Sequence, residues 1–496
     1  MAIAVVVYHL EHGLVTLFSS NDILNRRLRL VALLIPVIPG IGCVSIDAEA
    51  DRDLSVSLAQ SRLDHADASE VLDRSPLDPP RSWNGTDPLD ADTAVQVAFE
   101  RDAAVRRTMA MVDLARAELA QEDRAPNPTL SFNVGIAIDG VAGAPVFALL
   151  AQQVTWLWTR PWRIEAADAE RRASILRAAS SIVDLDARIR RRHAETTAAD
   201  ELAIIDRNFA DITRQSMDLV GKRVNAGEAS QLDLDRAVVE ARKAEVTAER
   251  SEIDARARRL TLLADLGLPS SHLDFEIVGS LDHGDSVIPS DPHVIALSAT
   301  ARLDVAASGM DLLAAEAKTG LARTKRIPEV AATLNWTRNI SDRDALGPGA
   351  QIGIPIFDDG TPGIAAAESS VRAKAFALLE TQRNAIAQAR LIREDLIAAT
   401  IQANGYRERI LAPARLAERR AELAYEEGVS DLTVLLLAQQ RRIDAERQAL
   451  VHELQATILR IDLARAVGGS IDLLPIAPDV PTIAEMDSRS PKEGHP

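Results

Sequence analysis

Two hydrophobic periods alternate along the chain. From Thr129 the residues Leu130, Phe132, Val134, Ile136 and Ile138 alternate with small or polar neighbours, a period of two that predicts a strand over about 129–139. Val330, Ala332, Leu334 and Trp336 repeat the pattern over about 329–338. Ile352, Ile354 and Ile356 give a shorter version within 350–357, and 147–158 is apolar on both faces. Elsewhere the period is helical. Asp92–Arg124 and Ile164–Val220 contain neither Gly nor Pro, and Ala198, Leu202, Ile205 and Phe209 recur at spacings of three and four. About 57 residues of helix make a rod of roughly 85 Å, and a narrow apolar seam on such a rod suits side-by-side coiled-coil packing. Return helices follow over Ala229–Leu266 and about Ser430–Val467, while Gly405 and Pro413 predict a break or bend in the long helix that begins near Ile364.

The same elements occur twice. Gly227 and Gly428, each ahead of a return helix, stand 201 residues apart, as do Gly267 and Gly468 and also Pro161 and Pro362; Pro128 and Pro328 stand 200 apart. Such markers define a tandem duplication. Repeat one spans 92–268 and repeat two 293–469, with a connector at 269–292, an extended linker at 44–91 and a tail at 470–496. The expected fold class is mainly α, two long coiled-coil hairpins, with four strands forming a membrane β-barrel portion.

Strands of nine to eleven residues with one apolar and one polar face have the length of tilted strands in a membrane barrel with a wet lumen. Trp156, Trp158, Trp162 and Trp336 lie in or beside them, as an aromatic girdle at a membrane interface would. Four strands cannot close a barrel, and a lipid-facing sheet leaves no open edge. Several copies must therefore pool them. A soluble two-hairpin sheet on a helical core is the alternative.

Composition narrows the chemistry. The net charge of −17 argues against a nucleic-acid binder. One cysteine excludes an intramolecular disulfide framework, an Fe–S cluster and a Cys-based zinc site. That cysteine, Cys43, ends a 13-residue apolar run behind Arg26-Arg27-Leu28-Arg29, which reads as a secretory signal over 1–43, too short for a spanning helix, with Cys43 as a lipidation candidate. His272, His283 and His293 are too far apart for a helical metal pair. Asp358-Asp359 reads as strand termination and capping, and Gly347-Pro348-Gly349 as a turn between strands. Arg188-Ile189-Arg190-Arg191-Arg192 reads as a solvated face, with an inter-protomer charge contact as the alternative. Tyr425 reads as packing on a neighbouring hairpin. No catalytic, cofactor or metal site is expected.

The order and doubled spacing of these features resemble the TolC-like family of bacterial outer-membrane efflux proteins over about Asp92–Gly469. The resemblance rests on the Gly227 and Gly428 turns, the closing Leu463-Ala464-Arg465-Ala466-Val467-Gly468-Gly469, and Ile354-Pro355-Ile356-Phe357-Asp358-Asp359-Gly360. It implies a homotrimer with one twelve-stranded barrel and a helical periplasmic tunnel. It also implies a periplasmic adaptor (membrane fusion) protein and an inner-membrane transporter of RND or ABC type as partners. The expected function is the outer-membrane channel of a tripartite efflux or type I secretion system, a passive conduit for small molecules or metal ions. The Pro128-Thr129-Leu130 strand start is similar to the heavy-metal efflux branch. A periplasmic coiled-coil adaptor or scaffold is the alternative. Relatives carry aspartates beyond the second turn, where this chain has Thr433-Val434-Leu435-Leu436-Leu437; in repeat one the comparable stretch holds Asp233 and Asp235. These are candidates for a charged aperture, or for favouring the return-helix N-terminus.

Overall fold

The longest element is one helix of 70 residues, and its composition explains why it runs so far. Straight-chain and Ala positions dominate it, and i,i+3 and i,i+4 Arg–Asp pairs such as Arg171–Asp168 and Arg190–Asp186 brace its surface. In the computed structural model, described for residues 46–64, 67, 78–135, 144–269, 271, 273–281, 287–341 and 343–470, the elements run in the order of the duplication. After α1 (Glu49–Gln60), repeat one holds α2 (Ala91–Arg101), α3 (Ala103–Glu122), β1 (Thr129–Val134), β2 (Val146–Gln153), α4 (Trp156–Asn225) and α5 (Gln231–Asp265). Repeat two holds α6 (Asp291–Thr300), α7 (Leu303–Thr324), β3 (Glu329–Arg338), β4 (Asp344–Gly353), α8 (Thr361–Asn404), a π-helical segment (Gly405–Leu411), α9 (Ala412–Glu426) and α10 (Leu432–Val467). Among the described residues no helix is long and apolar enough to cross a membrane.

Several boundaries differ from expectation. The helix expected over Asp92–Arg124 is two helices, because Asp102 leaves the helical conformation and its side chain accepts the Val105 N–H as an N-cap. Arg302, 200 residues on, breaks repeat two at the same place. Within the expected extended linker, 49–60 is helical. The strand expected over 147–158 ends at Gln153, and α4 starts at Trp156 with Pro161 in its second turn. The last strand is 344–353 rather than 350–357. Gly347-Pro348-Gly349 is therefore inside β4 and not a turn: β4 is an edge strand of the described sheet, the position at which a sheet tolerates proline. Ile136 and Ile138, like Cys43, the expected signal and most of the tail, lie outside the described residues.

The four strands form one antiparallel meander, β1-β2-β3-β4. The largest core lies where α1, α2 and α3 cover the middle of α4. Phe99, Ile182, Leu185, Ile189, Leu262 and Leu266 are fully enclosed there, each contributing about 1.5–3 kcal/mol by burial. Trp83 meets Phe275 edge-on at 5.1 Å, beside a short parallel bridge from Leu89 to Ile277. Along the hairpin of repeat one, Ala237, Ala241, Ala244, Ala248, Ser251 and Ala255 alternate at spacings of four and three, and these small side chains let α5 lie close against α4.

Candidate functional site

Strand register sorts the sheet into two chemically distinct faces. Leu130 pairs with Leu150, which pairs with Leu334; Phe132 pairs with Ala148, then Trp336, then Leu346. Side chains paired across neighbouring strands share a face, so these residues lie together with Val330 and Ile352. Leu130, Phe132 and Leu346 are 60–72% exposed: among the described residues nothing covers them. The opposite face holds Ser131, Asn133, Thr333, Asn335, Thr337, Gly347, Gly349 and Gln351, with Phe147 and Leu149 as its apolar exceptions. A Cβ at Gly349 would stand 2.8 Å from Thr333 Oγ1, so a larger residue there would displace that side chain. At one end of the apolar face Arg338 bonds Asp344 at 2.9 Å and lies over the Trp336 ring at 5.7 Å. Among the described residues β1 and β4 each leave one edge unpaired.

Of the four tryptophans expected in a girdle, only Trp336 is in a strand. Trp156, Trp158 and Trp162 occupy the opening turns of α4, immediately after β2. Trp162 covers Gly320 of α7, where a Cβ would lie 2.3 Å from the indole. Trp156 lines a cavity of about 720 Å³ between sheet and helices, together with Gln153, Arg163, Lys325 and Gly353. Asp358 and Asp359 each accept a backbone N–H, from Gly360 and Thr361, at 2.9 Å, closing the passage from sheet to α8.

The hairpin ends are near-copies of each other. Gly227 and Gly428 have φ of 77° and 72°, a conformation glycine adopts without the side-chain clash of other residues. Each closes its helix by a bond reaching back, Glu228 N–H to Arg223 O and Val429 N–H to Ala424 O, both 2.8 Å. Ser230 and Asp431 then cap the return helices through the N–H groups of Asp233 and Val434. Asp233 is committed to this cap: its carboxylate accepts from the Ser230 hydroxyl and N–H, which hold its pKa below the ordinary value. Asp235 is exposed and accepts from Gln231 at 3.3 Å. It lines a groove of about 580 Å³ between α5 and α10, floored by Val239, Leu436 and Leu437. In the corresponding stretch of repeat two, Leu435 is buried against Val220 and Tyr425.

Several polar contacts join the two hairpins, and sequence reasoning missed them because each spans more than 200 residues. Arg223 donates to Tyr425 O at 2.8 Å and its guanidinium lies 4.8 Å from the Tyr425 ring centre. Burial raises the Tyr425 pKa, against the opposing pull of Arg223. Gln439 donates to Ser216 at 3.0 Å. Asp206, 2% exposed, accepts from Arg447 Nη2 at 2.7 Å and from the Ser251 hydroxyl, which ties α4, α5 and α10 together. Arg188–Arg192 is likewise no free face. Arg188 pairs with Asp102 at 2.5 Å, Arg190 with Asp92 at 2.8 Å, Arg191 with Asp462 at 3.3 Å and Arg192 with Asp265 at 2.8 Å, all within the chain. Among the described residues no group of three or more His, Cys, Asp or Glu side chains is placed to hold a metal.

Solved structures share this arrangement. The outer-membrane channel OprN superposes with a TM-score of 0.68 at 18% identity, over 84% of this chain and 96% of its own. The outer membrane protein VceC from Vibrio cholerae does so with 0.65 at 16%, over 77% and 96%. The chain thus has the fold of TolC-like outer-membrane channels, as the doubled markers suggested. In sequence it is 26% identical to the cobalt-zinc-cadmium resistance protein CzcC of Cupriavidus metallidurans, over 58% of this chain and 68% of that protein. No family model matches the chain.

Proposed function

We propose that this protein is the outer-membrane channel of a tripartite efflux system, a passive homotrimeric conduit. The observation that carries the reading is the sheet: an uncovered apolar face, an opposite small and polar face, and two unpaired edges, set on long helical hairpins. Backbone groups at an edge cannot face lipid unpaired. Pairing β1 of one copy with β4 of the next satisfies both edges, and three copies give twelve strands around water. The hairpins then form a periplasmic tunnel ending at the Gly227 and Gly428 turns. A periplasmic adaptor docks there, and an inner-membrane transporter supplies the energy. An adaptor role for this chain itself would put the strands in a soluble domain, which the uncovered apolar face does not suit.

In the closed state the hairpins are held by Arg223–Tyr425 and Gln439–Ser216, and adaptor docking loosens these contacts so that the ends part. Asp235 is the better aperture candidate of the two aspartates, since Asp233 serves its helix cap. Cys43 is the lipid-anchor candidate, and Trp336 with Trp156, Trp158 and Trp162 marks the membrane interface. The likeness to CzcC makes divalent metal ions the first cargo to test. Single-channel recording of the purified protein in a planar bilayer tests the reading. The expected result is a pore of low conductance that widens on Arg223→Ala. A bilayer that stays silent with both proteins overturns it.

A further inference from the structure

One strand breaks the chemistry of the face it stands on. On the polar side of the sheet β2 presents Phe147, Leu149 and Ala151 one above the other. Phe147 lies between Asn133 and Thr337, Leu149 between Ser131 and Asn335, and Ala151 between Thr129 and Thr333. Positions that face water inside a barrel are ordinarily polar, yet Phe147 is 47% exposed. Its flanking neighbours are a carboxamide and a hydroxyl, so β2 makes an apolar column in a neutral, hydrogen-bonding surface.

The column runs down to a hollow. Gln153, the next β2 residue on that side, lines the cavity of about 720 Å³ at the foot of the sheet, as do Glu329 and Gly353, which pair with each other. Gln153 pairs with Ala331, and Ala331 with Gln351. All these strand residues therefore share the polar side, and the cavity opens where the column ends. Trp156 and Leu321 form apolar wall, and the volume is that of a small-molecule site. The charges around it balance. Arg163 and Lys325 stand against Glu329 and Asp358, and Arg163 is already 3.0 Å from Glu122. The side chains of Phe147, Leu149 and Ala151 hold no atom that ligates a metal ion. An organic molecule gains apolar contact along the column, then both apolar contact and hydrogen bonds in the hollow.

We propose that the polar side of each sheet carries a binding track for organic solutes with an aromatic or aliphatic body, running down β2 from Phe147 and ending in the cavity beside Trp156. The inference rests on the barrel reading, which turns this side to the enclosed water and leaves a solute as its occupant. Because charges of both signs line the hollow, the apolar body of the solute selects it and the sign of its charge does not. Three tracks, one per copy, line one conduit.

The test is single-channel recording of the full chain in a planar bilayer. Naphthalenesulfonate and its cationic counterpart, naphthylmethyl-trimethylammonium, are compared with methanesulfonate and tetramethylammonium. Both ring-bearing ions are expected to block the current reversibly, and neither small ion is. Phe147→Thr with Leu149→Thr, which keeps strand-forming residues, is expected to raise the half-blocking concentration about tenfold. Thr324→Trp, placed to fill the cavity, is expected to weaken the block from the other end of the track. Block that follows the sign of the charge, or that survives both variants unchanged, overturns the track while the open pore upholds the conduit. A bilayer silent before any blocker is added removes conduit and track together.

Discussion

Repeat one and repeat two began as the same unit and no longer behave as one. In repeat one the outgoing helix α4 is unbroken for 70 residues and its middle is sealed under α1, α2 and α3. In repeat two the same path is split into α8, seven residues of π-helix and α9, over a much smaller core around Leu297, Leu396 and Leu463. No residues were inserted, since the Pro161–Gly227 and Pro362–Gly428 intervals are equal. Gly405 opens the wide-turn segment, the Tyr406 and His452 rings meet tilted with centres 4.7 Å apart, and Pro413 follows in the first turn of α9. A stiff, well-buried hairpin beside a jointed one suggests a division of labour, with repeat one as frame and repeat two as the moving part.

The comparison can be broken most severely at the Asp206 contact. Arg447→Met leaves that carboxylate buried with only Ser251 for company, and is expected to cost about 3 kcal/mol or more. The matching change in repeat one, Val246→Met, is expected to cost less than about 1 kcal/mol. Thermal unfolding followed by helical circular dichroism reads both; equal losses would erase the distinction. Next come the turns. Gly227→Ala and Gly428→Ala each force a side chain into a left-handed conformation, at about 1–2 kcal/mol, and unfolding midpoints that differ widely would show that the two ends are not equivalent.

Acid distinguishes the cores. His193 is buried in α4 with Nε2 3.1 Å from Leu89 O, and burial lowers its pKa, partly opposed by that bond. The unfolded chain therefore gains its proton first, so stability is full above about pH 6.5 and falls on acidification below it, by at most about 1.4 kcal/mol per pH unit. His193→Gln should flatten that part of a stability-against-pH curve; an unchanged slope would remove His193 as its source. The smallest effects belong to the caps. Ser230→Ala and Asp431→Ala should each cost about 1 kcal/mol. Ser230→Ala should also return the Asp233 pKa toward its ordinary value, visible by NMR titration of the carboxyl carbon.

Local chemistry written in consecutive residues was legible without coordinates. The period-two stretches, the paired glycines and the 201-residue spacing led to the strands, the turns and the duplication. What stayed hidden depended on distant partners. The apolar alternation of 129–134 was plain, but β4 was misplaced because Gly347, Pro348 and Gly349 look like a turn until pairing with Thr333, Leu334 and Asn335 shows them to be an edge strand. Asp102 was missed because its helix break comes from a side-chain cap rather than from Gly or Pro. Arg188–Arg192 was read as solvated for want of Asp92, Asp102, Asp265 and Asp462, which the sequence scatters and the fold gathers.

The strand order carries a consequence for biogenesis. Because β1 to β4 pair in the order they are synthesised, each sheet can zip up by itself and then wait with both rims sticky. A stray extended peptide competes with the rightful neighbour for those rims. The proline and flanking glycines of β4 blunt one rim, so β1 is the side where overproduction should first turn assembly into aggregation.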